Sequence, residues 1–202
     1  AMGAFLVLNA RVLGAMYLVN NVDFKGVPEL EKRIRKSCLT SFLISLPFLL
    51  YVLISLVLMD GYSVAADSSV AMEAKKYLAN LLEMPVVLAL LLIGLFLVIL
   101  GVTRTGLSNV TTGIWFGGLG TVLVGLSIFF LAGFNGTPFY PSKADLQSSL
   151  TIYNASSTHY TLTAMTYVAL FIPAVLGYIA YVWRQMDSRK IDMQDIADRK
   201  AY

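Results

Sequence analysis

The sequence predicts an all-α, polytopic membrane protein, and three observations carry that expectation. Of 202 residues, 57% are hydrophobic and only 13% are charged, with a mean hydropathy of +0.73. That is too little charge to cover a water-facing surface of this size. Five apolar runs each approach the roughly 20 residues needed to cross about 30 Å of hydrocarbon. Finally, Lys and Arg gather in alternate connections between those runs. Backbone in lipid must satisfy its own hydrogen bonds, so runs of this length form helices and not strands.

The spans fall at residues 2–20, 39–59, 85–102, 112–134 and 162–183. Eleven basic residues lie in the first loop (Lys25, Lys32, Arg33, Arg35, Lys36), the third loop (Arg104) and the tail (Arg184, Arg189, Lys190, Arg199, Lys200). Only three, Lys75, Lys76 and Lys143, lie in the other connections. The positive-inside rule then places the start of the chain outside the membrane and its C-terminus in the cytoplasm. The first run starts at Ala1-Met2-Gly3 with no charged flank and no cleavable pattern, which reads as a fragment or processed piece preceded by further chain.

In the first loop, Pro28, Glu29 and Glu31 precede Lys32, Arg33, Arg35 and Lys36. Acid early and base late suit the helix dipole, so the second helix is expected to start near Pro28 and run on into the membrane. Pro47 and Pro173 are expected to kink the second and fifth spans. Asp60-Gly61-Tyr62 closes the second span, and residues 71–82 of the polar connection have the pattern of a short interfacial amphipathic helix or of a solvated loop. Pro85 starts the third span. Residues 103–109 make a tight turn, so the third and fourth spans form an antiparallel hairpin. The fourth holds Gly113 and Gly117, a small-xxx-small pair that admits a close helix neighbour, either within the chain or in a second copy.

Between the fourth and fifth spans lies a polar run, residues 146–157, in which Ser, Thr and Asn alternate with Leu150, Ile152 and Tyr153. Such a loop has polar groups to satisfy and apolar groups to bury, which predicts a packed structure lying over the membrane domain.

Chemistry-bearing residues are sparse. Arg11 lies near the middle of the first apolar run, where a guanidinium costs roughly 2.5 to 3.5 kcal/mol on insertion scales. The other spans hold no acid between their ends. Arg11 therefore either snorkels toward an interface or meets a partner outside the chain, such as another subunit, a lipid phosphate or a cofactor carboxylate; intramembrane charges generally face protein or water, which favours the outside partner. His159 is the only histidine, so two-histidine haem ligation within the chain is excluded. Met16 and Met165 are conceivable axial ligands, though methionine in an apolar helix is usually filler. Cys38 is the single cysteine, which excludes an intrachain disulfide and reads as a packing residue. No phosphate-binding glycine loop, Ser/His/Asp set or nucleic-acid signature is present. Asn-x-Ser/Thr matches at Asn109, Asn135 and Asn154 are too common a pattern to carry weight.

One resemblance covers essentially the whole chain. Pro141-Ser142, Ser149-Leu150-Thr151-Ile152-Tyr153-Asn154-Ala155-Ser156-Ser157, Thr161-Leu162, Met165-Thr166, Pro173 and Tyr181-Val182-Trp183 resemble the last periplasmic loop and last helix of subunit II of cytochrome bd-type quinol oxidases. Gly14-Ala15-Met16-Tyr17-Leu18 is similar to the start of that subunit's second half. The resemblance implies a four-helix transmembrane bundle (1–134), an outer capping loop (135–161) carrying the motif Ser149, Leu150, Thr151 and Asn154, a peripheral transmembrane helix (162–184) and a cytoplasmic tail (185–202). It also implies a bacterial or archaeal inner-membrane complex that oxidises ubiquinol or menaquinol and reduces O2 to water. Haem b and haem d would be ligated by subunit I, with lipids and a small accessory subunit as further partners. The chain itself would hold no catalytic, cofactor-binding or metal residue; Arg11 is its candidate contact and Gly113 and Gly117 its packing positions. The loop is expected to hold the fifth helix against the bundle.

Two other classes stand beside this reading. A small transporter or channel domain predicts polar groups or broken helices near the midplane, and beyond Arg11, Asn9 and scattered hydroxyls there is little of either. A membrane-anchored interaction module would use residues 32–36 on anionic lipid, a cluster also explained as the topology signal.

Overall fold

The computed structural model describes residues 1–65, 67–108, 110–186 and 190–191. Its four principal helices are α1 (Met2–Asn21), α2 (Pro28–Leu58), α4 (Pro85–Gly106) and α5 (Gly113–Leu131). They form two antiparallel hairpins, α1–α2 and α4–α5, packed against each other. One end, hereafter the basic end, carries Arg35 near the start of α2 and Arg104 in the last turn of α4. At the other, the loop end, lie a hairpin of β1 (Gly61–Val64) and β2 (Val70–Glu73) and the short helix α3 (Lys76–Glu83). A 3-10 turn (Leu146–Ser148) and α6 (Ile152–Ala155) follow in the long loop. The fifth span is divided into α7 (His159–Ala169) and α8 (Ile172–Met186).

Local chemistry explains the principal boundaries. Pro28 occupies the first turn of α2, with Glu29 and Glu31 beside the positive end of its dipole, so water-exposed and apolar parts form one 31-residue helix that passes through Pro47. Pro85 opens α4 in the same way. α4 continues to Gly106, which moves the expected turn at 103–109 a few residues on; Asn109 lies outside the described residues. The fifth span is broken where a kink was expected. Residues 170 and 171 leave the helix, and Pro173 becomes the second residue of α8, where a missing N–H is harmless.

Two expectations are corrected at the loop end. Residues 71–82 do not form one helix: Val70–Glu73 pairs with Gly61–Val64 in antiparallel register, Val64 opposite Val70. Helix begins only at Lys76, after Lys75 turns the chain at φ 53°. Val70, Met72, Tyr62 and Val64 suit a pleat, and the pairing satisfies backbone that an isolated eight-residue helix would leave exposed. The fifth span, moreover, is not held laterally against the bundle: neither α7 nor α8 buries a residue.

The interior is narrow. No span has more than 28% of its apolar window buried, so most of its apolar surface faces lipid or protein outside the chain. At the basic end the core is Val12, Ala15, Met16, Cys38 and Val102; at the loop end it is Leu81, Val87, Leu91, Val124 and Leu131. The α4–α5 seam is made of glycine. A Cβ on Gly101 would stand 2.6 Å from the Gly117 nitrogen, and one on Gly120 would stand 2.6 Å from the Gly94 carbonyl. These are backbone atoms that cannot move aside as a side chain would. Gly101→Val should therefore destabilise the detergent-solubilised protein by about 1–3 kcal/mol, while Gly14→Ala, where a Cβ meets nothing within 4 Å, should change little; thermal unfolding of the two variants side by side tests this.

Candidate functional sites: a cationic clasp and a capped loop

At the basic end the dominant side chain is Arg35, 8% exposed. Its Nε and Nη2 donate to Glu31 Oε1 at 2.9 and 2.6 Å, one turn earlier on α2. Nη1 crosses to the end of α4 and the turn beyond, donating to the carbonyls of Thr105 (2.5 Å), Ser108 (3.0 Å) and Val110 (3.3 Å). The last carbonyls of a helix have no intrahelical donor and carry the negative end of its dipole. A guanidinium held by one carboxylate is well matched to them. Next to it, the Arg104 guanidinium lies 4.5 Å from the Phe116 ring centroid, a cation–π contact between α4 and α5. The sequence showed Arg35 only as one of five basic loop residues; the Glu31–Arg35 spacing of four was the available signal.

The residues singled out from the sequence fall in separate places. Arg11 is exposed on α1, and its Nη2 donates to Ser37 Oγ on α2 at 3.1 Å. Gly113 lies against Thr105 and the Gly101 carbonyl. Gly117 lies against α1, where a Cβ would stand 2.7 Å from Met16 Sδ, so the pair faces two different helices of this chain. Asn9 lines a cavity of about 100 Å³ between the hairpins with Ser45 and Thr121. The two hydroxyls are already spent on carbonyls of their own helices, Phe42 at 2.7 Å and Gly117 at 2.8 Å.

The loop motif is a hydrogen-bonded unit. Leu150 exchanges both backbone bonds with Tyr140 at 2.9 and 3.0 Å. Ser149 is fully buried, and its Oγ accepts from the Ser142 N–H at 3.0 Å. Thr151 and Asn154 form a capping box on α6 (3.2 and 2.7 Å), and Asn154 Nδ2 also donates to the Ser149 carbonyl at 2.9 Å. Gln147 then reaches β2: Oε1 accepts from the Val70 N–H and Nε2 donates to its carbonyl, each at 3.1 Å. On the other strand, Val64 N–H donates to the Gly136 carbonyl at 2.7 Å. The hairpin is thus gripped between the turn after α5 and the long loop. Beneath it, Asn135 Nδ2 donates to Asn80 Oδ1 at 3.1 Å and to Glu83. The Tyr77 phenol is pushed above its usual range, chiefly by burial.

The three conceivable haem ligands lie in separate places. His159 is an exposed first residue of α7. Met16 is fully buried against Gly117, and Met165 is 59% exposed on an unpacked helix. Among the described residues no group of three or more His, Cys, Asp or Glu is gathered.

Two predictions follow from these geometries. Arg35→Met, which leaves the Thr105 carbonyl at the end of α4 and the Ser108 and Val110 carbonyls of the turn without this donor, should cost about 2–3 kcal/mol. Arg35→Lys should recover only part, because an ammonium lacks the fork; unfolding midpoints in detergent decide it. Gln147→Ala should expose the Val70 amide, read as faster hydrogen exchange at β2 with the bundle amides unchanged.

A family model described as cytochrome bd terminal oxidase subunit II matches residues 1–186. Among curated proteins the chain is similar to cytochrome bd-I ubiquinol oxidase subunit 2 of Escherichia coli K12, and equally to the same-named proteins of strains O6:H1 and O157:H7. Each is 28% identical over 197 residues, covering 91% of this chain and 50% of the relative. The chain spans about half the length of the curated relatives it matches.

Proposed function

Since this chain belongs to the cytochrome bd terminal oxidase subunit II family, we propose that it serves as the scaffolding second half of that subunit in a respiratory complex that oxidises quinol and reduces O2 to water. The observation that carries this reading is the family match over residues 1–186. It sets aside the small-transporter alternative, which the spent hydroxyls of Ser45 and Thr121 do not favour either.

In this reading haem b and haem d belong to subunit I, the partner. The donor set here supports that division, since His159 and Met165 stand on an unpacked helix and Met16 is core. The substrate is ubiquinol or menaquinol. The complex lies in a bacterial or archaeal cell membrane with the basic end in the cytoplasm, a reading supported by the count of eleven basic residues against three. The loop end is then outside, where residues 135–161 cap the bundle. The unpacked faces of α7 and α8 and the low burial of the spans within the chain suit a chain completed by neighbouring protein.

The test is co-purification. Produced as the full-length subunit with its haem-bearing partner, the chain should hold a complex with haem absorbance, whereas the chain alone should show none; strong haem absorbance from the isolated chain would overturn the division of labour. Deleting residues 148–157 should reduce the yield of assembled complex before it alters turnover per assembled complex, and full assembly with lost turnover would contradict the capping role.

A further inference from the structure

Four cations of the described chain have carboxylate partners: Lys25 with Asp23, Lys32 with Glu29, Arg35 with Glu31 and Lys76 with Glu73. Three others, one on α1 and two on α2, do not. Among the described residues no carboxylate stands within ion-pair distance of Arg11, Arg33 or Lys36, and all three are exposed. They share a neighbourhood. Arg33 and Ser37 are four residues apart and so lie one turn apart on the same ridge of α2, with Lys36 on the adjoining ridge. Arg11 reaches over from α1 to donate to Ser37 Oγ at 3.1 Å.

The depth of this cluster is fixed by α2 itself. Residues 28–36 contain six Asp, Glu, Lys or Arg side chains and residues 37–58 contain none, so the boundary between water and hydrocarbon passes beside Ser37. Arg11, central in its own apolar run, therefore brings its guanidinium to the headgroup boundary by reaching for Ser37. Toward the loop end the same outward faces turn apolar: Val7 is 72% exposed, Leu43 62% and Ile44 56%. Thr40, between them, spends its hydroxyl on the carbonyls of Lys36 and Ser37 at 3.0 and 3.2 Å.

We propose that Arg11, Ser37, Arg33 and Lys36 form a binding site for the phosphodiester of an anionic membrane phospholipid. Arg11 grips two phosphate oxygens with the donors that Ser37 leaves unused. The Ser37 hydroxyl, which accepts from Arg11, keeps its own proton for a phosphate oxygen. Arg33 and Lys36 add attraction from the water side. An acyl chain then lies along Val7, Leu43 and Ile44. A phosphodiester suits this position better than a protein carboxylate because lipid phosphate already resides at this depth, so no further acid has to leave water.

The experiment uses the protein purified from membranes in mild detergent with whatever subunits accompany it. Retained phospholipid is identified by extraction and native mass spectrometry, and the delipidated protein is titrated with phosphatidylglycerol, phosphatidylcholine and free glycerol phosphate. Phosphatidylglycerol should be retained preferentially. Arg11→Gln should weaken its binding about tenfold, with Arg11→Lys intermediate because it keeps the charge and loses the fork. If Arg11→Gln does not accumulate, the Arg33→Gln, Lys36→Gln double variant, altered only on the water side, should show the same loss. Equal binding of the two lipids, or unchanged phosphatidylglycerol affinity in both variants, would overturn the proposal. So would competition by glycerol phosphate at matched concentration, which would mark a free-phosphate site. Loss of an accompanying subunit from Arg11→Gln with lipid binding intact would instead assign the guanidinium to a protein partner.

Discussion

A helix that ends near the membrane surface leaves carbonyls without donors, and the arrangement of this chain depends on how Arg35 meets them. The guanidinium belongs to α2, yet its bonds to Thr105, Ser108 and Val110 finish α4 and shape the turn into α5. One side chain thereby fixes the relative height of the two helical hairpins. Glu31 keeps it oriented and offsets its charge, so burial to 8% exposure does not leave an unpaired cation. Removing a partner from such an arrangement costs more than the pair itself contributes, because the groups left behind stay desolvated.

From that fixed end the glycine seam sets the approach of α4 and α5. Gly94 and Gly101 are seven residues apart and present one face to Gly113, Gly117 and Gly120, close enough for backbone to meet backbone. With no hydrophobic drive between helices in lipid, this dense contact and the few interhelical hydrogen bonds carry association. The seam is nonetheless thin, and the chain leaves much apolar surface uncovered. A chain completed by neighbouring protein, as in the proposed scaffolding role, can tolerate that.

At the opposite end the same accounting runs through polar side chains. Gln147 presents an amide to Val70 as a neighbouring strand would, and Thr151 and Asn154 close their own short helix. Asn135, at a left-handed φ of 54°, links the turn after α5 to Asn80 and Glu83. The fifth span, by contrast, is tethered only at its ends. The long loop joins it at one side; at the other, Ile191 exchanges backbone bonds with Asn21 and Asp23 at 3.0 and 2.9 Å. Among the described residues neither α7 nor α8 has a position buried against the bundle.

Hydropathy and charge placement by themselves determined the number of spans, their helical nature, the continuous start of α2 at Pro28 and the hydrogen-bonded character of residues 146–157, though not the expected burial of Leu150, Ile152 and Tyr153, which are 45%, 45% and 90% exposed. Those features follow from local rules: a run of apolar residues has one low-energy state in lipid, and proline and acid mark a helix start wherever they occur. What only the tertiary structure decided is which helix meets which. Arg35 and Arg33 are equivalent as letters in a basic loop, and Gly117 and Gly118 are equivalent as small residues. Yet Arg35 is buried under α4 while Arg33 is exposed, and Gly117 meets Met16 while a Cβ on Gly118 would meet nothing within 4 Å. The strands at Gly61–Val64 and Val70–Glu73 are only four residues each and pair with one another, too short a pattern to read locally; the contacts that grip them, from Gly136 and Gln147, lie more than 70 residues away in sequence. Long-range pairing depends on how the hairpins dock, and docking depends on the few ångströms of backbone approach that no local pattern records.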